Sequence, residues 1–204
     1  MNAISNILYW ISTGLLVPVI VLLIFFFARA IILIGSYFSQ YLRQKKTVNR
    51  AFGGIKTLSP ENLDEFAAKL PIKSGSTAVD YAAAIIRNAG NEPKTDLLLS
   101  EFEIESDKNI AASKVLTKMG PILGLMGTLI PMGPALVGLA QGDIASMAYN
   151  MQVAFATTVV GLTVSAIGFL TQQAKERWAV QNLTILEFIA NVANESSHQN
   201  LEEA

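Results

Sequence analysis

Hydroxyl-bearing and small residues recur at helical spacing in the apolar stretch 147–171, and they are the residues of this chain most able to do chemistry. The series is Thr158, Gly161, Ser165 and Gly168, with Thr157 beside it, and the same spacing continues to the polar Gln172 just after the stretch. Spacings of three and four residues place such side chains on one face of a helix. Hydroxyl groups can hold water or hydrogen-bond to an ionised partner, but they do not titrate near neutral pH. The stripe could therefore line an ion path without carrying charge itself.

A second series of small residues lies in the stretch 115–140, which contains "GPILGLMGTLIPMGP". Its members are Gly120, Gly124, Gly127, Pro131, Pro134 and Gly138, and Thr128 follows Gly124 by four residues. In water, prolines and glycines favour a loop. In lipid they are tolerated inside helices, because neighbouring helices and hydroxyl side chains satisfy the freed backbone groups. Two interpretations stay open for both series, namely close helix packing and the lining of a narrow pore or sleeve around another helix.

The composition indicates a membrane protein. Of 204 residues, 51% are hydrophobic and 15% are charged, and the mean hydropathy is +0.42, whereas a typical soluble domain has about 25% charged residues. Besides 115–140 and 147–171, a first apolar segment runs from Ile7 to Phe38 with Arg29 as its one charge. We interpret it as an uncleaved anchor rather than a signal peptide, because no basic residue precedes it and no small-residue cleavage pattern follows it.

Basic residues cluster at three of the six span ends and are absent from the other three. They are Arg43, Lys45, Lys46, Arg50, Lys108, Lys114, Lys118, Lys175 and Arg177. Because basic residues favour the cytoplasmic side, we expect the amino terminus and the loop between the last two spans to face outward. The long middle region and the carboxyl-terminal tail are then cytoplasmic, and the protein is a multi-pass protein of the cytoplasmic (inner) membrane.

The predicted fold is all-α, with three transmembrane helices and long helical cytoplasmic extensions. The predicted divisions are a first span with an outer amino terminus (1–40), a cytoplasmic helical module (41–114), a second span (115–140), an outer loop (141–146), a third span (147–171) and a helical tail (172–204). Within the module, "LSPENLDEFAAKL" has the serine and proline typical of a helix start. A second helix is predicted from Thr77 to Arg87, and a third from near Lys94 directly into the second span.

Several function classes find no support in the sequence. There are no cysteines and a single histidine, His198, which we interpret as a solvated tail residue. No nucleotide-binding glycine loop, metal-ligand cluster or histidine-paired nucleophile is found, so we expect no enzyme, cofactor or metal site. Twelve of the 15 basic residues and ten of the 16 acidic ones lie between Arg43 and Lys118. This mixed charge does not predict binding to nucleic acid.

Two stretches, "GPILGLMGTLIPMGPALVGLAQGD" and "NMQVAFATTVVGLTVSAIGF", resemble the signature of the MotA/TolQ/ExbB proton channel family. The three-span order, with a large insert after the first span and a tail after the third, resembles the short ExbB/TolQ branch rather than four-span MotA. The resemblance implies a ring, usually of five copies, around a dimer of single-pass ExbD/TolR/MotB-like helices that carry a membrane acid. It also implies that a flow of protons or sodium ions is coupled to movement of that central pair.

By motif, Thr128 in "GLMGTL" and Thr158 in "ATTVVGL" match the pore-facing threonines of ExbB and TolQ. Several ExbB-type proteins carry a glutamate a few residues before the second of these threonines, where this chain has Val153. The predicted pore-lining or partner-facing residues are Thr128, Thr157, Thr158, Gly161 and Ser165. The predicted helix-packing residues are Gly120, Gly124, Gly127, Pro131, Pro134, Gly138 and Gly168.

The sequence therefore predicts a stator-like subunit of an ion-driven membrane motor, with protons as the favoured ion. Since the second and third spans contain no carboxylate, the ion carrier is expected on the partner helices. The alternative is a non-conducting membrane scaffold whose small-residue faces seal a homo-oligomer.

The predicted orientation can be tested by cysteine labelling, since the chain has no native cysteine. In intact cells, Ser5→Cys should react with a membrane-impermeant maleimide, and Ser197→Cys should react only after the membrane is permeabilised. The reverse labelling pattern would contradict both the orientation and the cytoplasmic placement of residues 41–114.

Overall fold

The computed structural model describes residues 2–70 and 75–202, and these residues are mostly helical with no β-strand among them. The α-helices are α1 (Asn2–Gly14), α2 (Leu16–Arg43), α3 (Asn49–Ala51), α4 (Leu63–Lys69), α5 (Thr77–Arg87), α6 (Glu92–Ala140) and α7 (Ile144–Glu202). A π-helical turn (Gln44–Val48) and two 3-10 turns (Ile55–Thr57 and Pro60–Asn62) lie between them. The predicted all-α fold is confirmed. The side chain of His198 lies outside the described residues.

Three helical stretches of the described chain are long and apolar enough to cross a membrane: Ile7–Leu42, Glu92–Ala140 and Ile144–Ser197. The first contains both α1 and α2, which are separated at Leu15. Pro18 has no N–H, so the carbonyl of Gly14 loses its helical donor at this point. The Leu15 N–H still donates to the Ile11 carbonyl at 3.1 Å and the Val19 N–H to the Leu15 carbonyl at 3.0 Å, so the chain stays helical through the interruption.

The helices α6 and α7 begin and end close to where the sequence patterns placed them. The second helix predicted in the middle region is α5, and its observed bounds, Thr77 and Arg87, are the predicted ones. The third predicted helix is α6, which begins at Glu92 and includes the second predicted span. A three-residue turn then leads into α7, with Gly142 at a positive φ of 73°. The Ser146 N–H donates to an Asp143 carboxylate oxygen at 3.0 Å, so Asp143 caps the start of α7.

The chain forms two compact units. The span unit comprises the residues up to Gly35 together with Ala111–Gln172, and the helical module comprises Ser36–Ile110 together with the residues from Gln173 onward. In the helical module, α5 buries one face. Its core includes Ala78, Val79, Ala82 and Ile85 of α5, Leu98 and Phe102 of α6, and Leu186, Ile189, Ala190 and Ala193 of α7. The middle region and the tail, although far apart in sequence, therefore fold around one hydrophobic core.

In the span unit, the first span packs against the apolar faces of the other two. One cluster joins Val19 and Leu23 of α2 to Leu123 and Ile130 of α6. Another joins Ala30 and Leu33 of α2 to Leu116 of α6 and Val164 of α7. Gly120, Gly124 and Gly127 of α6 instead face α7.

Candidate functional site

The backbones of α6 and α7 approach each other closely at three glycines. A Cβ atom added to Gly161 would lie 2.6 Å from the carbonyl oxygen of Gly120 and 2.8 Å from the Cα of Gly124. One added to Gly120 would lie 2.5 Å from the carbonyl oxygen of Gly161. Any side chain at Gly120 or Gly161 would therefore push the two helices apart, because the obstructing atoms belong to the backbone.

The same contact continues along both helices through small residues that face each other. A Cβ atom on Gly127 would lie 2.6 Å from the Cβ of Thr157, and one on Gly168 would lie 2.6 Å from the backbone nitrogen of Thr117. Thr157 is only 6% exposed, and its hydroxyl donates to the Ala154 carbonyl at 2.9 Å. The structure therefore places Thr157, a predicted pore-lining residue, inside the contact between two spans of one chain.

Near Pro121, a hydroxyl group satisfies a backbone carbonyl that the proline leaves without its helical donor. Pro121 lacks the N–H that would otherwise donate to the carbonyl of Thr117, four residues earlier. The Ser165 hydroxyl of α7 donates to that Thr117 carbonyl oxygen at 3.0 Å. An unsatisfied carbonyl inside a membrane is costly, so the serine explains how this proline is accommodated within α6.

Gly138, another member of the two series, also lies close to the start of α7. Pro131 and Gly138 are buried and Pro134 is half-buried, and a Cβ atom on Gly138 would lie 3.2 Å from the backbone nitrogen of Met147. The buried Thr171 hydroxyl donates to the Ser113 hydroxyl at 3.3 Å. Ser113 and Thr171 were not among the predicted site residues. The sequence pattern that could have identified them is the three- and four-residue spacing. It continues from Gly120 back through Thr117 to Ser113, and from Gly168 on to Thr171.

Thr128 and Thr158 differ from Thr157 in that each is only half-buried. The Thr128 hydroxyl donates to the Leu125 carbonyl at 2.7 Å, and the Thr158 hydroxyl donates to the Ala154 carbonyl at 3.1 Å. Since a hydroxyl has one proton and two lone pairs, each threonine can still accept hydrogen bonds. Phe155 and Leu162, which lie three and four residues from Thr158, are exposed. Thr158 thus marks the edge of the contact between α6 and α7.

The site contains hydrogen-bonding oxygens but no acid. Residues 115–140 and 147–171 include no aspartate or glutamate, and the described residues contain no cluster of histidine, cysteine, aspartate and glutamate that could hold a metal ion. Asp143 lies in the turn and is occupied in capping α7. The chemistry that this arrangement offers is therefore hydrogen bonding to water or to a group supplied by another chain.

Comparison with protein families decides the class of this protein. The MotA/TolQ/ExbB proton channel family matches residues 82–187, a region that runs from α5 through both close-packed spans into α7. The chain belongs to this family. As a member of the MotA/TolQ/ExbB family with three apolar helices, it is a multi-pass membrane protein. A search of the curated proteins finds no match.

The glycine contact in this MotA/TolQ/ExbB protein can be tested with two matched substitutions on facing helices. Gly161→Ala places a methyl group against the α6 backbone and should destabilise the purified protein by about 1–3 kcal/mol. Gly124→Ala should be tolerated, because its Cβ atom would lie 3.5 Å or more from its nearest neighbours, and alanine favours a helix by about 1 kcal/mol over glycine. Thermal unfolding in detergent micelles measures both effects, and equal destabilisation by the two variants would contradict the predicted difference.

The pairing of Ser165 with Pro121 predicts a coupling between two substitutions. Ser165→Ala should destabilise the protein by about 0.6–2 kcal/mol, as expected for a lost hydrogen bond between membrane helices. In a Pro121→Ala background the same change should cost much less, because the substituted alanine supplies the backbone N–H for the Thr117 carbonyl. Unfolding measurements on the two single variants and the double variant give the coupling. The same cost of Ser165→Ala in both backgrounds would show that the serine does not compensate for the proline.

Proposed function

We propose that this chain is the stator-like subunit of an ion-driven inner-membrane motor. In this proposal, copies of the chain form a ring around a pair of single-pass ExbD/TolR/MotB-like partner helices. The resemblance to ExbB and TolQ implies five copies. The observation that carries the proposal is the half-buried position of Thr128 and Thr158, in spans that contain no carboxylate. The amino terminus faces outward and the helical module faces the cytoplasm, as the distribution of basic residues favours.

Within this proposal, the five predicted pore-lining residues have different roles. Thr157, Gly161 and Ser165 contact α6 of the same chain, so they set the separation of the two spans. Thr128 and Thr158 keep oxygen lone pairs that an outside group can use. We therefore assign direct contact with the partner or with water to Thr128 and Thr158, and a supporting role to the other three.

The hydrogen bond of Thr158 suggests how the subunit distinguishes two protonation states of a partner acid. While the hydroxyl proton is donated to the Ala154 carbonyl, Thr158 can only accept, so it can bind a protonated carboxyl group that donates to it. An ionised carboxylate has no proton to donate. To bind it, the Thr158 hydroxyl must rotate away from Ala154 and become the donor. Loss of the partner's proton therefore changes the preferred contact, which is a requirement for coupling ion flow to movement.

The alternative, a non-conducting scaffold, is supported by a specific observation. The glycines that could have lined a pore are occupied in packing within one chain, and large apolar side chains such as Phe155, Leu162 and Phe169 are exposed on α7. Such a surface could seal a homo-oligomer without conducting. The two functions differ in whether an ion gradient is dissipated and in whether a partner acid is needed.

Reconstitution in liposomes with a co-expressed single-pass partner separates the two functions. We expect the complex to dissipate a proton gradient, the chain alone to leave it intact, and replacement of the partner's membrane acid by its amide to abolish the flux. Thr158→Val should lower the flux at least several-fold while the complex still assembles. The matched control is Thr163→Val, which removes an equivalent hydroxyl bonded to the Val159 carbonyl at 2.8 Å from an exposed position of the same helix.

The outcomes distinguish the subunit's role from the partner's. Absence of any partner-dependent proton or sodium flux would support the scaffold. Ion flux through the chain alone would place the ion carrier on this chain. The same conclusion would follow if the flux survived loss of the partner's acid but was lost in Asp143→Asn. Equal losses of ion flux in Thr158→Val and Thr163→Val would contradict the role proposed for Thr158.

A further inference from the structure

The helical module contains a cavity of about 240 Å³ that the proposed motor function does not use. The carboxyl-terminal end of α2, the first turn of α5, and parts of α6 and α7 form its walls. The polar side chains that line it include Gln40, Gln44, Thr77, Ser106, Lys175 and Asn182. Among the described lining residues, Lys175 is the one with a charged side chain, and none is a carboxylate.

Lys175 brings a positive charge into this cavity, and no described lining residue supplies a matching carboxylate. Its side chain is 7% exposed, and its Nζ donates to the backbone carbonyl of Asn109 at 3.1 Å. That carbonyl uses one of three ammonium protons and carries no net charge. Burial lowers the Lys175 pKa, as expected where no described carboxylate forms an ion pair with it. A buried cation is costly unless it is paired, so an anion in the cavity would compensate this cost.

The first turn of α5 adds backbone N–H donors to the cavity wall; it also carries Asp80, which is not among the described lining residues. Gly75, Ser76, Thr77 and Ala78 all line the cavity, and α5 continues for 11 residues, Thr77–Arg87. The first N–H groups of a helix lack intrahelical acceptors and carry a partial positive charge, which suits phosphate-type anions. The amides of Gln44 and Asn182 hydrogen-bond to each other at 3.1 Å at the cavity wall, and they provide further polar surface.

We propose that this cavity binds a phosphate-bearing anion, with the Lys175 ammonium as the charged anchor and the first turn of α5 as a backbone cradle. Lysine is a frequent phosphate-binding side chain, and the cavity is bounded by uncharged donors that can bind the remaining oxygens. The phosphate could belong to a lipid headgroup or to a free small molecule. A lipid source fits the position of Lys175, four residues beyond the end of the predicted third span, a helical rise of roughly 6 Å. The proposal does not depend on ion conduction.

Trp178 provides a direct optical probe of this cavity. It lines the cavity, and its ring stacks on that of Tyr37 with the centroids 5.5 Å apart. The chain has two tryptophans, so Trp10→Phe leaves Trp178 as the single source of tryptophan emission. We would titrate the full-length Trp10→Phe protein, in uncharged detergent at constant ionic strength, with inorganic phosphate, with short-chain phosphatidylglycerol, and with chloride.

The expected result is a saturable change in Trp178 emission with phosphate, with phosphatidylglycerol, or with both, and no such change with chloride. Lys175→Met keeps the length of the side chain and removes its charge, so it should weaken the apparent affinity at least tenfold. Lys108→Met is the matched control, since Lys108 is exposed and does not line the cavity; it should change the affinity less than twofold. A response to phosphatidylglycerol alone identifies a lipid source, and a response to inorganic phosphate alone identifies a free one.

Folding of the variants is checked independently. Without ligand, Lys175→Met should unfold at a temperature no lower than the parent, because it removes a buried charge that no described carboxylate neutralises. Lys175→Arg, which keeps the charge, should retain a phosphate response and serves as the charged variant if Lys175→Met does not fold. The absence of any response to phosphate or phosphatidylglycerol in the parent would overturn the proposal. Undiminished responses in Lys175→Met, or an equal response to chloride, would also overturn it.

Discussion

The close approach of the second and third spans at Gly120, Gly124 and Gly161 is the contact on which the rest of the span unit depends. With backbone against backbone, the short side chain of Ser165 can reach a carbonyl of the neighbouring helix at 3.0 Å. The same close approach brings Thr157 into contact with Gly127. It also agrees with the short, three-residue turn that joins the two helices. In water, such a helix pair would be driven together by burial of large apolar groups. In lipid that driving force is absent, and small residues with interhelical hydrogen bonds take its place.

This packing also limits what the hydroxyl groups can do. A threonine inside a membrane helix commonly donates to its own preceding turn, and Thr128, Thr157 and Thr158 all do so. Their remaining capacity is to accept, and only the half-buried members of the set can accept from outside. The protein therefore presents an electron-rich, uncharged edge, which can respond to an acid on another chain but cannot replace it.

The sequence was sufficient for features that depend on local chemistry. Apolar length identified the three spans, and the breaks at residues 88–91 and 141–143 follow from glycine, asparagine and polar residues near helix ends. The sequence could not show which helix packs against the glycines, because a small-residue face has the same pattern whether its neighbour lies in the same chain or another. The sequence also did not show that α5 and α7 share a core, because residues such as Ile85 and Leu186 are about 100 positions apart. Lys175 was interpreted only as a charge flanking a span, because burial of a lysine depends on distant residues.

The arrangement of Pro121, Thr117 and Ser165 favours one order of substitution at positions 121 and 165. A proline at position 121 without a hydroxyl at 165 leaves a carbonyl unsatisfied inside the membrane, whereas a hydroxyl without the proline does no comparable harm. A hydroxyl already present at position 165 avoids this cost when the proline appears, and loss of the hydroxyl restores the cost once the proline is present. Loss of the hydroxyl at position 165 is free of this cost where position 121 has an amide hydrogen to donate to the Thr117 carbonyl.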